Sequence, residues 1–198
     1  MSFKYPCVLT GAIATGKSTV CNLLKSRGFS VIDADIVAKE VLEASKKELK
    51  DLFGKSIFNG DTVDRKKLAD IIFNSSKQRE KLNNLIHPKV RLEMKKLAKQ
   101  KEEQKVPYVV DIPLFFESGE YDCQKVIVVY TPQKIQLKRL MKREGLSESE
   151  ALKRVQSQID IDEKKDRADW VIDNSSDLEH LEEETEKFIE YMRDKICK

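Results

Sequence analysis

This chain of 198 residues is poor in the groups that build metal centres and covalent cross-links. Its four cysteines, Cys7, Cys21, Cys123 and Cys197, show no C-x-x-C spacing. That excludes a zinc ribbon or a disulfide framework and leaves reduced thiols in a cytosolic protein as the simplest reading. His87 has no second histidine nearby, only the distant His180, so a paired-histidine metal site is not expected. No apolar run approaches the roughly 20 residues of a membrane-spanning helix. The start, Met1-Ser2-Phe3-Lys4-Tyr5, runs directly into the first expected strand and leaves no room for a secretory leader. A soluble cytoplasmic protein with no membrane partner is expected. Charge of one sign is scarce as well: 36% of residues are charged, but the balance is only +3. Lysine (28 residues against 9 arginines) is spread over expected helix surfaces opposite Glu and Asp. That is a solvated surface, not a stripe for nucleic acid. Oligomeric state is not legible in any of these features.

Glycine is also sparse, with seven residues and no adjacent pair. Two of them frame the stretch Gly11-Ala12-Ile13-Ala14-Thr15-Gly16-Lys17-Ser18, which fits the P-loop pattern G-x-x-x-x-G-K-[ST]. The run Tyr5-Pro6-Cys7-Val8-Leu9 before it reads as a short buried strand. Thr19-Val20-Cys21-Asn22-Leu23-Leu24 after it reads as the opening of an amphipathic helix. In that setting the loop turns backbone N–H groups inward, and the helix N-terminus adds partial positive charge at the same place. A nucleoside triphosphate is the expected occupant of residues 11–19, Thr19 included. Lys17 is expected to reach the β- and γ-phosphates, and the Ser18 hydroxyl to ligate Mg²⁺.

Apolar runs at 5–10, 30–33, 107–111, 126–131 and 170–172 read as strands separated by helical patterns. The fold class is therefore α/β, a P-loop NTPase-type parallel sheet with helices on both faces. One helix is expected over 88–104, with Val90, Met94, Leu97 and Ala98 at helical spacing. A last helix over about 177–196 carries Leu178, Leu181, Phe188, Ile189, Met192 and Ile196 on one stripe. Between the second and third strands lies a long helical crossover, residues 35–104, with turn signals at Gly54 and Asn59-Gly60-Asp61. An insertion there can grip a second substrate.

Acids close two of these strands. Val31-Ile32-Asp33-Ala34-Asp35 puts carboxylates at the end of a strand neighbouring the P-loop strand, where a kinase needs a group to take the proton of an attacking hydroxyl. Asp35 can instead cap the following helix, and Asp33 is the expected catalytic residue because that cap is already filled. Asp111 ends Tyr108-Val109-Val110-Asp111 and is expected to share the Mg²⁺ shell with Ser18. Arg139 and Arg143, four apart on one helix face, can clamp a transferring phosphoryl group, and Arg154 follows. The alternative is an ion-paired helix surface with Glu144, Glu148 and Glu150. His87 precedes Pro88 at an expected helix junction, and Asp51-Leu52-Phe53-Gly54 matches D-x-x-G on an amphipathic helix without deciding anything.

In order and spacing these pieces resemble the dephospho-coenzyme A kinase family over most of the chain. The segments that carry the resemblance are Leu9 to Thr19, Val31 to Asp35, Arg65 with Leu68, Ile86-His87-Pro88, and Asp111-Ile112-Pro113-Leu114-Phe115-Phe116-Glu117. Gln136 to Leu140, Arg143, Arg154, Gln158 and Ala168 to Asn174 continue it. The resemblance implies ATP-dependent phosphorylation of the ribose 3′-hydroxyl of dephospho-coenzyme A, the last step of coenzyme A synthesis. It implies a core (1–34, 105–138 and 168–198), a helical coenzyme-A-binding insertion at about 35–104 and a lid at about 139–167. It also implies Asp33 as base, Asp111 near Mg²⁺, Asn174 beside the adenine, and substrate contacts from Asp33, Asp35, Arg65, His87, Pro113 and Glu117. The family loop is richer in glycine, commonly Gly-Gly and Gly-Ser where this chain has Gly11-Ala12 and Ala14-Thr15. Alanine there loses easy access to positive φ.

Two other readings differ in detectable ways. Another small-metabolite kinase of the shikimate type would carry a Gly-Gly-Gly acceptor segment, which this chain lacks. A nucleotide-dependent regulatory protein of the GTPase type would carry N-K-x-D, which is also absent.

Overall fold

The apolar run after Cys7 forms strand β1 (Val8–Gly11), buried along its length. Helix α1 (Lys17–Ser26) follows the glycine loop and buries Val20, Cys21 and Leu24. This is a computed structural model, and it describes residues 7–119, 121 and 123–195. Tyr5 and Pro6 of the strand expected over 5–10 lie outside the described residues, as do Ile196 and Cys197. The chain continues through β2 (Ser30–Asp33), α2 (Ala34–Ala44), α3 (Lys46–Phe53) and a 3-10 turn at Lys55–Ile57. Then come β3 (Phe58–Asn59), β4 (Thr62–Val63), α4 (Arg65–Phe73), α5 (Ser76–Glu103), β5 (Tyr108–Asp111), α6 (Phe115–Ser118) and β6 (Val126–Tyr130). The remainder is α7 (Gln133–Glu144), α8 (Glu148–Gln156), α9 (Ile161–Asp166), β7 (Trp170–Asp173) and α10 (Leu178–Lys195).

The chain divides into two units, Met1–Ile32 with Gln100–Lys198, and Asp33–Lys99. The first is organised by a five-stranded sheet in the order β2-β5-β1-β6-β7. Pairing is parallel where β1 meets β5 (Val8↔Val110), where β1 meets β6 (Val8↔Val126) and where β6 meets β7 (Ile127↔Trp170). Parallel strands flanked by helices are apolar on both faces, which is why these segments read as continuous hydrophobic runs. Leu9, Val109, Ile127, Val129 and Ile172 of the strands pack with Val20 and Leu24 of α1 and with Leu181, Phe188, Ile189 and Met192 of α10. Each such aliphatic or aromatic side chain, once buried, contributes about 1.5–3 kcal/mol. From β1 the chain passes to β2, returns to β5 beside β1, and then crosses to β6 on the other side. The crossovers thus change direction at β1, and the carboxyl end of that strand is where an open α/β sheet forms a binding crevice.

In the second unit the crossover is not helical throughout. β3 and β4 form an antiparallel hairpin with Phe58↔Val63 and Asn59↔Thr62. The two-residue loop Gly60-Asp61 closes it, with Gly60 at φ 59°. Helix α5 also departs from expectation, since it begins at Ser76 and runs through Pro88. The expected helix start at 88 and the expected junction at His87-Pro88 are therefore corrected: both residues lie inside one continuous helix. Its buried positions Leu82, Ile86, Val90, Met94 and Ala98 repeat every four residues. Pro88 falls on the exposed side, where the loss of one helical hydrogen bond leaves the carbonyl of the exposed Asn84 to solvent. Among the described residues no helix is long and apolar enough to cross a membrane.

Candidate active site

The P-loop is shaped by two glycines that cannot be exchanged. A Cβ on Gly11 would stand 2.7 Å from Thr15 Oγ1 and 3.0 Å from the Val129 carbonyl. Gly16 sits at φ 90°, and a Cβ there would overlap the side-chain amide of Asn174. Between them Ala14 adopts φ 61°, so the alanine expected to resist the left-handed region occupies it. The Thr15 hydroxyl donates to the Ala12 carbonyl (2.9 Å), and Ile13 N–H donates to Gln158 Oε1 (2.8 Å). Among the described residues the N–H groups of Gly16, Lys17 and Ser18 have no protein acceptor. Free amides at the positive end of α1 form an anion cradle. Thr19 N–H is committed to the Gly16 carbonyl (2.9 Å).

Asp111 ends β5, the strand beside β1, and its carboxylate is almost fully buried. Its Oδ1 accepts from the Lys17 ammonium. Its Oδ2 accepts from the Cys21 thiol at 3.4 Å, one turn further along α1. Burial, reinforced by the negative charge of Asp111, pushes the Cys21 thiol up to about 12. The cysteine is thus a neutral donor to the carboxylate, a role not legible in the sequence. Ser18, the second residue of α1, is exposed. A hydroxyl and a carboxylate are hard oxygen donors that fit Mg²⁺, which takes few protein ligands beside phosphates and water. Among the described residues no group of three or more His, Cys, Asp or Glu could hold a metal ion.

A second set of contacts holds the far end of the loop. Asn174, just beyond β7, is buried and donates from Nδ2 to the Thr15 carbonyl (2.7 Å). The Arg139 guanidinium donates to the Asn174 carbonyl (3.1 Å) and to Thr131 Oγ1 (3.3 Å). Its Nη1 lies 3.9 Å from the position a Gly16 Cβ would take. Thr131, buried at the end of β6, is a further residue that sequence reasoning did not single out. Arg143 and Arg154 are exposed and both pair with Glu144.

Glu117, on the single turn of α6, accepts from Ile159 N–H (3.1 Å) and pairs with Lys164 Nζ (2.6 Å). Lys164 is fully buried and also donates to the Gly11 carbonyl (2.9 Å). The Pro113 carbonyl accepts from Thr10 Oγ1 (3.1 Å).

The remaining expected residues belong to the second unit. Asp33 is the N-cap of α2, its Oδ1 accepting from Asp35 N–H (2.9 Å) and Ile36 N–H (3.0 Å). The expectation that Asp35 fills the cap is corrected: α2 begins at Ala34, directly after β2, so Asp33 is the cap and Asp35 is exposed in the first turn. Arg65 is the exposed first residue of α4, and His87 is half-buried on α5.

A parallel sheet of this order, with a G-x-x-x-x-G-K-[ST] loop between β1 and α1 and an acid on the adjacent strand, defines a P-loop kinase fold. The family model for dephospho-CoA kinase (CoaE) matches residues 6–180. A dephospho-CoA kinase from Sulfurimonas denitrificans is 47% identical over 195 residues, covering 98% of this chain and 98% of its own. One from Helicobacter pylori is 38% identical over 192 residues, covering 96% of this chain and 98% of its own. The solved dephospho-CoA kinase of Campylobacter jejuni superposes with a TM-score of 0.79 at 37% identity, over 97% of this chain and 98% of that one. The chain belongs to the dephospho-CoA kinase family. By that membership it is an ATP-dependent phosphotransferase of coenzyme A biosynthesis.

Proposed function

We propose that this chain transfers the γ-phosphoryl group of ATP to the ribose 3′-hydroxyl of dephospho-coenzyme A in the cytoplasm, releasing coenzyme A and ADP. The observation that supports this most is the pairing of the free amides at the start of α1 with the buried Lys17–Asp111 contact. The amides and Lys17 bind the triphosphate, Lys17 moving from Asp111 to the β- and γ-oxygens. The Ser18 hydroxyl and Asp111 would hold Mg²⁺, which would supply charge neutralisation for the transfer. Asp33 receives the proton of the attacking hydroxyl. Its Oδ1 is fixed by the α2 amides, and Oδ2 is the acceptor. Arg139, with Arg143 of the same helix, clamps the charge that develops in transfer, and Asn174 borders the adenine. Asp35, Arg65, His87 and Pro113 contact the acceptor. Residues 139–167 act as a lid that excludes water, a competing acceptor.

Product analysis tests the reading. Incubation with ATP, Mg²⁺ and dephospho-coenzyme A should give a compound heavier by one phosphoryl group, with phosphorus NMR placing it on the ribose 3′-oxygen. Phosphate found only in free solution would contradict the assignment of the acceptor.

A further inference from the structure

Among the described residues Lys164 is one of the largest side chains completely removed from solvent, yet it carries an ammonium group and lies in a strongly charged stretch. Its ammonium donates to the Gly11 carbonyl at 2.9 Å and forms an ion pair with Glu117 Oε1 at 2.6 Å. Glu117 Oε1 also accepts from Ile159 N–H at 3.1 Å, and Oε2 is buried without a hydrogen-bond partner. A buried ion pair is often no more stable than apolar side chains of the same volume, so stability alone does not account for it.

Its location suggests another role. Gly11 O is the last carbonyl of β1, and Ile13 N–H, two residues further, is held by Gln158 Oε1 at 2.8 Å. The stretch from Gln158, just after α8, into α9 therefore grips the P-loop twice, through Gln158 and through Lys164 of α9. Glu117 ties that segment down by its backbone at Ile159 and by its charge at Lys164. The loop's exit is held independently by Asn174 on the Thr15 carbonyl. With both ends fixed, the orientation of the amides between them is set before any phosphate arrives.

We propose that Lys164 and Glu117 are positioning residues for the ATP site. The buried pair fixes the entrance of the P-loop and, with Gln158, aims the loop at the triphosphate. Glu117 serves the acceptor only indirectly. The inference rests on the phosphate-binding role of the loop and not on which acceptor is phosphorylated.

The test is titration of MgATP into wild type, Lys164→Met, Glu117→Gln, the double variant and Gln158→Ala, alongside melting temperatures. Each single variant of the pair strands one buried polar partner and lowers the melting temperature. The double variant removes both charges together and recovers most of that loss. A role in stability alone predicts that ATP affinity recovers as well. Positioning predicts that the double variant still binds MgATP about ten-fold more weakly, the equivalent of one charged hydrogen bond. Gln158→Ala, on a partly exposed side chain, should weaken ATP binding with little change in melting. Wild-type ATP affinity in the double variant would overturn the proposal even if the single variants failed to fold. Wild-type protein that binds ATP but ignores dephospho-coenzyme A would overturn the acceptor and leave this inference standing.

Discussion

Lys17 and Asp111, 94 residues apart in the chain, form an ion pair that joins the start of α1 to the end of the neighbouring strand. Their side chains are 15% and 7% exposed, so neither charge is well solvated. Lys17→Met should reduce kcat/KM by about 10²–10³-fold, since it removes the cation proposed to meet the transferring phosphate. Calorimetric titration should show weaker ATP binding in the same variant. Unchanged kinetics would remove Lys17 from the phosphate site.

Asp33→Asn is an unusually clean substitution here. Asparagine caps helices about as well as aspartate, so α2 keeps both of its amide contacts and the fold is retained. What is lost is the basic oxygen, and kcat should fall by about 10²–10⁴-fold with ATP affinity preserved. Asp33→Ala adds the loss of the cap, about 1 kcal/mol of stability, to the same kinetic defect. Near wild-type turnover in Asp33→Asn would show that another group takes the proton.

Two loop positions should respond in opposite ways. Gly16→Ala meets both an unfavourable φ of 90° and the Asn174 amide, so ATP binding should be lost and melting lowered. Ala14→Gly removes a left-handed alanine at φ 61°. It also frees the unfolded chain, and the two terms of about 1 kcal/mol oppose each other. Differential scanning calorimetry should therefore find Ala14→Gly within about 4 °C of wild type. A large drop for Ala14→Gly would mean that the alanine methyl is needed against the cluster of Leu140, Ala151 and Val155.

Cys21 should behave as an inert thiol. Its ionisation is pushed from 9.0 up to about 12, first by burial and then by Asp111. A raised thiol value means the neutral form belongs to the folded state. The resulting stability is complete below pH 9 and declines as pH rises from about 9 toward 12. Iodoacetamide at pH 8 should leave the Cys21 peptide unlabelled in native protein and label it in urea, as read by mass spectrometry. Equal labelling in both conditions would contradict the buried contact with Asp111.

The sheet was legible because parallel strands are apolar on both faces. The runs at 30–33, 107–111, 126–131 and 170–172 became Ser30–Asp33, Tyr108–Asp111, Val126–Tyr130 and Trp170–Asp173. The hairpin of β3 and β4 was not legible, because two-residue strands show no alternation. Pro88 reads as a boundary in the sequence, although the four-residue stripe from Leu82 to Ala98 continues through it. The Asp33/Asp35 pair offers two candidate caps, and only the end of β2 chooses between them. Lys164 stayed hidden for a different reason. Within Asp160 to Asp166 it reads as one more solvated charge, and only the packing of α9 shows its ammonium on Gly11 and Glu117.

Phosphoryl transfer from ATP to dephospho-coenzyme A at the P-loop underlies the kinetic expectations for Lys17 and Asp33. The most direct measurement is ADP release by the purified chain with ATP and Mg²⁺, comparing dephospho-coenzyme A with shikimate, nucleoside monophosphates and no acceptor. Rapid release only with dephospho-coenzyme A is the predicted result. Measurable ATP binding with no acceleration by that acceptor would contradict it.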